Sequence, residues 1–432
     1  MPENGIGKKK FLFVSWESLS GDLAYQCKKE GHDVKVWIKE EDDKDVYEGF
    51  LDRVDDWQKH VDWADVIVFD DTNFGEKADK LRKQGKLVVG GSVYTDRLED
   101  DREFGQDEMR RVGIHTLPSH DFEKFDDAIA FVRNNPGRYV FKPSGTISSE
   151  QKGLLFIGED EDGRDLIEVM VHNKAVWSKK ITKFQLQKYE QGVEIAVGAF
   201  FNGSDFILPV NVNFEHKRLF PGEIGPFTGE MGTLMYWSAP NEIFRMTLAK
   251  MKDSLAAAKY VGYVDVNCIA TGKAISPLEF TCRFGYPTIS IQLEGIQTPA
   301  GEFLYHMAKG EQFQLKTKRG FQIGVVVAVP PFPYNDKQVF STYKDSSILF
   351  KKGGVEGVHL GDIKLVDGDW HLAGMSGYVL VITGTGTTVE EARKQAYNRL
   401  KNIFVQNMFY RTDIGVRWQD DSDKLQTWGY LY

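Results

Sequence analysis

Val264-Asp265-Val266-Asn267, followed by Pro277-Leu278-Glu279-Phe280-Thr281-Cys282-Arg283-Phe284-Gly285, is the stretch from which the fold is read. Thr271-Gly272-Lys273 between the two runs is a hairpin turn signal, a glycine among polar residues separating alternating segments. Side chains alternate along a strand, so Asp265 and Asn267 share one face while Val264 and Val266 share the other. On the return strand Glu279 and Thr281 share a face opposite Leu278 and Phe280. Pairing with Asp265 near Glu279 puts two carboxylates on one surface. Carboxylates and amide oxygens are hard ligands, and Mg²⁺ uses one or two carboxylates together with nucleotide phosphates. Arg283 follows as a fixed cation suited to a phosphate or a carboxylate. An ordinary antiparallel hairpin with a polar outer face has the same pattern, so the rest of the chain must decide between the two.

Towards the N-terminus, residues 11–16, 33–38, 66–69 and 87–89 read as strands and 20–29 and 74–84 as helices. This alternation predicts an open parallel sheet with helices on both faces and a ligand beyond the carboxyl ends of its strands. Ser18-Leu19-Ser20-Gly21-Asp22 lies at that edge. One glycine is a weak phosphate signal and Asp22 would repel an anion, so capping of the following helix is the expected role. Residues 99–112 and 122–133 are expected helices, with Gly113 and Pro118 marking a boundary between them. Tyr139 to Gly145 is a strand carrying Lys142, and a Ser/Gly loop runs on to Lys152-Gly153. A lysine beside exposed backbone N–H groups is a phosphate cradle; a solvated lysine and a plain loop fit equally, and GxxxxGK[ST] is absent.

Residues 186–189, 194–201 and 207–212 are expected strands. Glu215-His216-Lys217-Arg218 then packs an acid, a titratable ring and two cations together, either as a site or as a solvated turn. Gly222 to Gly232 holds four glycines in eleven residues, which lets backbone approach a ligand closely. Residues 241–260 read as one long helix, 324–331, 358–360 and 377–383 as strands. Thr388-Val389-Glu390-Glu391 is a capping box, behind which Val389, Ala392, Ala396, Leu400 and Ile403 recur at helical spacing.

The 432 residues exceed one ordinary core, so two to four domains are expected. A net charge of −9 argues against a general nucleic-acid binder. The three cysteines, Cys27, Cys268 and Cys282, are far apart and lack metal-type spacing, as in a reducing compartment. Lys8-Lys9-Lys10 before Phe11 to Val14 is too short an apolar run for a signal peptide, and no run approaches a membrane span. A cytoplasmic protein with no membrane and no nucleic-acid partner is expected.

The sequence resembles the ATP-grasp ligases, specifically the glycinamide ribonucleotide synthetase (phosphoribosylamine–glycine ligase) family of purine biosynthesis. The likeness rests on Glu215 to Arg218, on Gly225-Pro226-Phe227-Thr228-Gly229-Glu230-Met231-Gly232, on Leu278 to Gly285, and on Glu391 to Tyr397 with Phe409 to Gly415. The fold class it implies is mixed α/β and α+β: an N-terminal open parallel domain (1–112), an ATP-grasp module of two α+β subdomains (113–320, the small lid-like one about 113–190) and a C-terminal mixed domain (321–432). It implies ATP with Mg²⁺ or Mn²⁺, small carboxylate and amine substrates, and a monomer or small homo-oligomer. Lys142, Ser144 and Gly145 would hold nucleotide phosphates, Gln187, Lys188 and Tyr189 the adenine, and Glu194 the ribose. Glu279, Asp265, Asn267 and Thr281 would bind the metal. Glu215, His216, Lys217, Arg218, Gly225, Pro226, Thr228, Gly229, Met231, Gly232, Arg283 and Gly285 would face the substrates, with Arg283 and Lys142 catalytic.

The departures from that pattern are specific. Ser15 to Asp22 stands where the family has a glycine-rich loop with Arg and His. Glu215 replaces an aspartate, Thr281 an asparagine ligand, and Tyr286-Pro287-Thr288 an Asp-Pro-Glu. The expected activity is ATP-dependent amide formation through an acyl phosphate, with an altered amine substrate. The alternative is an inactive nucleotide-binding or scaffold protein of the same fold.

Overall fold

The strands Lys10–Ser15, Asp33–Ile38, Val66–Phe69 and Leu87–Val89 form where Val, Ile, Phe and Leu cluster, because a parallel sheet is covered on both faces. With Asp52–Arg53 they make a wholly parallel sheet in the order 52–53, 33–38, 10–15, 66–69, 87–89. The computed structural model describes residues 5–144, 154–334, 336–351 and 354–432. Gly145 and the loop onward to Gly153 lie outside them.

The hairpin of Val261–Ala270 and Ile275–Thr281 is the edge of an eight-stranded antiparallel sheet. Inward from that edge come Val193–Asn202, Phe206–Glu215, Gly232–Ser238, Phe321–Ala328, Tyr378–Gly386 and Val358–Leu360. The sheet is continuous past residue 320, so the expected boundary there divides sequence regions and not sheets. The helix Thr288–Gly295 is buried nearly all round; it can lie this close because a Cβ on Gly324 would stand 2.2 Å from Ile291 Cγ1. The helix Val389–Leu400 begins with the expected capping box and buries Val389, Ala392, Ala396 and Leu400.

A smaller sheet, Ser119–Phe122, Lys183–Lys188, Tyr139–Ser144 and Phe156–Ile157, packs with helices Phe125–Asn134 and Arg164–Trp177 around its own core. Phe184 sits at its centre, with ring centroids of Phe125 and Phe141 at 4.5 and 4.8 Å. Phe184→Ala is therefore expected to destabilise this unit by about 3–5 kcal/mol. Chemical denaturation together with hydrogen exchange checks this: protection should fall across 119–188 and persist elsewhere.

Three local expectations are corrected. The helix expected over 241–260 is broken into Glu242–Met246, Leu248–Met251 and Lys252–Ala257. At the break Thr247 leaves helical geometry and its hydroxyl donates to the Ile243 carbonyl (2.6 Å). The helix expected over 99–112 is two, Val93–Asp100 and Arg102–Arg111, because Asp101 is extended and caps the second by accepting from the Phe104 N–H. Ser20 precedes the helix Gly21–Lys29 but makes no side-chain cap; its hydroxyl goes instead to Asp70 (2.8 Å).

Candidate active site

The edge hairpin carries the first four residues. Its register sets Asn267 opposite Glu279 and Asp265 opposite Thr281, a correction to the expected Asp265–Glu279 pair. The ladder slips by one residue between Asn267 and Cys268. Pro277 opposes Cys268 there and has no N–H to donate, which accounts for a bulge at this point. Without the slip Glu279 would oppose Val266, and its side chain would lie on the other face. With it, both carboxylates and the Asn267 amide share one face.

Lys217, at the end of Phe206–Glu215, is clamped on that face. Its ammonium lies 3.0 Å from Glu194, 3.2 Å from Glu215 and 3.9 Å from Glu279. Burial works against the charge on Glu194, but Lys217 holds its carboxyl below the usual range. Burial and Glu194 together push Glu215 up against the pull of Lys217. Asn267 donates to Glu215 (2.9 Å), while its own Oδ1 is buried without a partner among the described residues. Asp265 is pushed well up by burial and by the charges of Glu215 and Glu99.

On the smaller sheet, Lys142 is buried on Tyr139–Ser144 and donates to Gln187 Oε1 (2.8 Å). Burial first, then the nearby Arg102 cation, pushes its pKa down to about 7. Arg102, which the sequence reading missed, pairs with Glu279 at 3.0 Å. Their separation of 177 positions leaves no local signal. Glu230 was also missed; it is buried and its Oε1 has no partner among the described residues.

The structure gives several expected site residues other roles. His216 is 1 % exposed, both ring nitrogens lack partners, and burial and Arg417 push its pKa down to about 3, so it is a neutral core residue. Arg218 stacks on Phe227 (3.5 Å) and donates to the Gly225 carbonyl, closing the small hairpin that also contains Pro226. Thr228 donates twice to the Lys217 carbonyl and fixes that residue's backbone; Gly229 beside it is exposed. Met231 is buried, and Gly232 has φ +146° with no room for a Cβ against the Gly324 carbonyl (2.5 Å). Gly285 opens the helix Thr288–Gly295 by accepting from the Ile289 N–H. The N–H groups of Lys188 and Tyr189 donate to Pro118 and Arg138 carbonyls, and Arg138 covers the Tyr189 ring at 3.5 Å. Ser144 is buried at the end of its strand. Arg283 stands apart from Lys217, its Nε at 3.1 Å from both Asp71 and Glu99.

Among the described residues no three His, Cys, Asp or Glu groups gather as a self-sufficient metal cage. The donor set still fits Mg²⁺ or Mn²⁺, since Glu279 and the orphaned Asn267 oxygen are hard donors on one face and phosphates commonly complete such a site.

A large antiparallel sheet with a buried mixed-charge face, opposed by a small α+β unit presenting a lysine, is the arrangement of the ATP-grasp enzymes. Two domain profiles agree: the phosphoribosylglycinamide synthetase ATP-grasp (A) domain matches residues 100–289, and the phosphoribosylglycinamide synthetase C domain matches 322–417. The chain belongs to the phosphoribosylglycinamide synthetase family of ATP-grasp carbon–nitrogen ligases. Phosphoribosylamine–glycine ligases of Caulobacter vibrioides and Halalkalibacterium halodurans are 27% and 23% identical to it, over 79% and 78% of this chain and 80% and 78% of theirs. The crystal structure of phosphoribosylamine–glycine ligase from Thermotoga maritima superposes with a TM-score of 0.71 at 21% identity, covering 94% of this chain and all of that one. Biotin carboxylase from Campylobacter jejuni shares the fold at a TM-score of 0.64 and 13% identity, covering 99% and 98%. No helix among the described residues is long and apolar enough to cross a membrane.

Proposed function

We propose that the chain activates a small carboxylate with ATP as an acyl phosphate, which an amine then converts to an amide. The observation that carries this is Lys217 held among Glu194, Glu215 and Glu279, with Arg102 paired to the same Glu279 and the buried Lys142 pushed down by burial and by Arg102 nearby. In the first step the carboxylate oxygen takes the γ-phosphoryl group and ADP leaves. In the second the amine nitrogen attacks the acyl carbon, the bond to the phosphate oxygen breaks, and the nitrogen loses a proton. Lys142 and Arg102 would neutralise the transferring phosphoryl group. Glu279 and Asn267, with Asp265 and Thr281 behind them, would hold Mg²⁺ or Mn²⁺, whose charge assists the same transfer. Glu194 would receive the ribose hydroxyls, and Gln187 to Tyr189 would line the adenine with groups other than the Lys188 and Tyr189 N–H groups, which donate within the chain.

The expected division into 1–112, 113–320 and 321–432 is proposed as the functional one, with the unit around Phe184 as the lid. The buried, unpaired thiols of Cys27, Cys268 and Cys282 support the cytoplasmic location. An inactive scaffold is disfavoured, because the relatives matched over most of this chain are named as ligases.

The decisive assay is ADP release from Mg-ATP with glycine and phosphoribosylamine, the pair in the relatives' names, beside a panel of other carboxylates and amines. Release that requires both a carboxylate and an amine supports the reading. Release that is indifferent to either, or none across the panel, overturns it.

Lys142 adds a pH signature. A nucleotide phosphate beside this ammonium raises its pKa from about 7. Both states are protonated below that value, and above it only the bound state keeps the proton. Mg-ATP affinity is therefore expected to be highest below pH 7 and to fall as pH rises, with proton uptake on binding. Calorimetry in two buffers of different ionisation enthalpy checks the uptake.

A further inference from the structure

In the parallel sheet the strand order reverses between Lys10–Ser15 and Val66–Phe69, and ligands of such sheets sit in the crevice beyond that point. The N-terminus of Gly21–Lys29 opens there, a place whose N–H groups commonly receive phosphate. Here the chain fills it with its own groups. Asp70 accepts from the Ser20 N–H (3.0 Å), the Ser20 hydroxyl and the Ser15 hydroxyl. The Gly21 N–H donates to the Tyr47 hydroxyl (3.2 Å), and the Tyr47 ring lies so close that a Cβ on Gly21 would be 1.9 Å from its Cζ. The nearby cation, Arg283, is already neutralised by Asp71 and Glu99. A phosphate would meet a carboxylate and a phenol in place of donors.

The crevice instead offers acceptors. Asp362 is held by Ser18 (3.0 Å) and Ser376. Tyr286, the residue that replaces a family aspartate, stacks near Tyr378 with centroids 4.7 Å apart. Asp362 lies beside Tyr378: its N–H donates to the Tyr378 carbonyl (2.9 Å), and the Ser376 hydroxyl it accepts from also receives the Tyr378 N–H (2.9 Å). The Tyr286 hydroxyl donates to the Leu360 carbonyl (3.3 Å), whose residue's N–H donates to Asp22 (3.2 Å). Burial pushes both phenols up. Burial, then the charge of Glu215, pushes the Glu230 carboxyl well up, and the N–H of its neighbour Met231 donates to the His216 carbonyl (2.8 Å), next to Lys217. Three oxygens, Asp70 Oδ1, Glu230 Oε1 and the Tyr378 hydroxyl, have no partner among the described residues, on side chains more than nine-tenths buried. Buried acceptors without donors are costly. An ammonium supplies donors and charge together, and aromatic faces favour it further. Asp22 does not supply this demand, since His359 already pairs with it at 2.7 Å. Burial pushes the Asp70 carboxyl up to about 6, and burial with the nearby Asp43 pushes Asp362 well above its ordinary range.

Building on the ligase reading, we propose that the amine substrate is an unphosphorylated alkylammonium, taken up between Asp70, Asp362, Tyr286 and Tyr378 and presented towards Glu230. The chain thereby differs from relatives whose named substrate carries a ribosyl phosphate.

Calorimetry on the full chain saturated with Mg-ADP tests this, with 1,4-diaminobutane and ribose 5-phosphate as probes. The diamine is expected to bind at least tenfold more tightly than the sugar phosphate. Asp70→Asn is expected to weaken the diamine at least tenfold. Tyr378→Phe, which removes one unpartnered oxygen and leaves the ring, is expected to weaken it severalfold, so the test survives if Asp70→Asn folds poorly. Ribose 5-phosphate binding as tightly as the diamine would overturn the proposal, as would diamine binding indifferent to both changes. No diamine binding to a chain that still takes Mg-ADP overturns the ammonium site alone. Failure to bind Mg-ADP overturns the ligase reading and this inference with it.

Discussion

Glu279→Gln is expected to abolish measurable ADP formation, a loss on the order of 10²–10³-fold or more, while the protein stays folded. The substitution keeps the shape of the side chain and an acceptor oxygen for Arg102 Nη1, which lies 3.0 Å away. It removes one negative charge from the face shared with Asn267, the face proposed to hold the metal ion. Glu279 is half-exposed, so little core packing is at stake. Circular dichroism and a melting curve should match the parent, and ADP release under saturating Mg-ATP should fall to background. Unchanged turnover would remove Glu279 from the chemistry. Raising Mn²⁺ should not restore full activity, because the missing element is ligand charge and not metal supply.

Lys142→Ala is expected to weaken Mg-ATP binding by about 1.5–3 kcal/mol, roughly ten- to a hundredfold in Kd. Lys142 is a buried cation that donates to the neutral Gln187 amide, and among the described residues no ion pair takes up its charge. Truncation also leaves a cavity, and Lys142→Met separates the two effects by keeping most of the volume without the charge. Equal losses of affinity in both variants identify the charge as the cause; an affinity unchanged in Met places Lys142 outside the nucleotide site. The melting temperature is expected to hold or rise in the Met variant, since burial already disfavours the ammonium.

Much of the scaffold was legible from local pattern. Runs such as Phe11 to Val14 and Val66 to Phe69 announced a buried parallel sheet, and the strands formed there within a residue of expectation. Thr388 to Glu391 announced a helix start that the structure reproduces hydrogen bond for hydrogen bond. Where a polar side chain had a choice of partners, local pattern failed. Ser20 turned from capping to Asp70, and Thr247 broke a helix by bonding back along the chain. His216 sits in the motif that carries the resemblance, yet it is a core residue, because position in a motif says nothing about which neighbours close over a ring.

The sequence by itself determined which residues share a strand face, since the period of two is a property of the backbone. It also supplied the family, through blocks that survive as strings. Only the tertiary structure decided that Glu279 and Asn267 face one another, because a one-residue slip beside Pro277 reverses the facing and no period records it. Only it decided that Arg102 meets Glu279, that Glu99 and Asp71 neutralise Arg283, and that Asp70 and Tyr47 fill the end of a helix. Charges are paired by distance in space, and chain closure brings together residues that no local spacing relates.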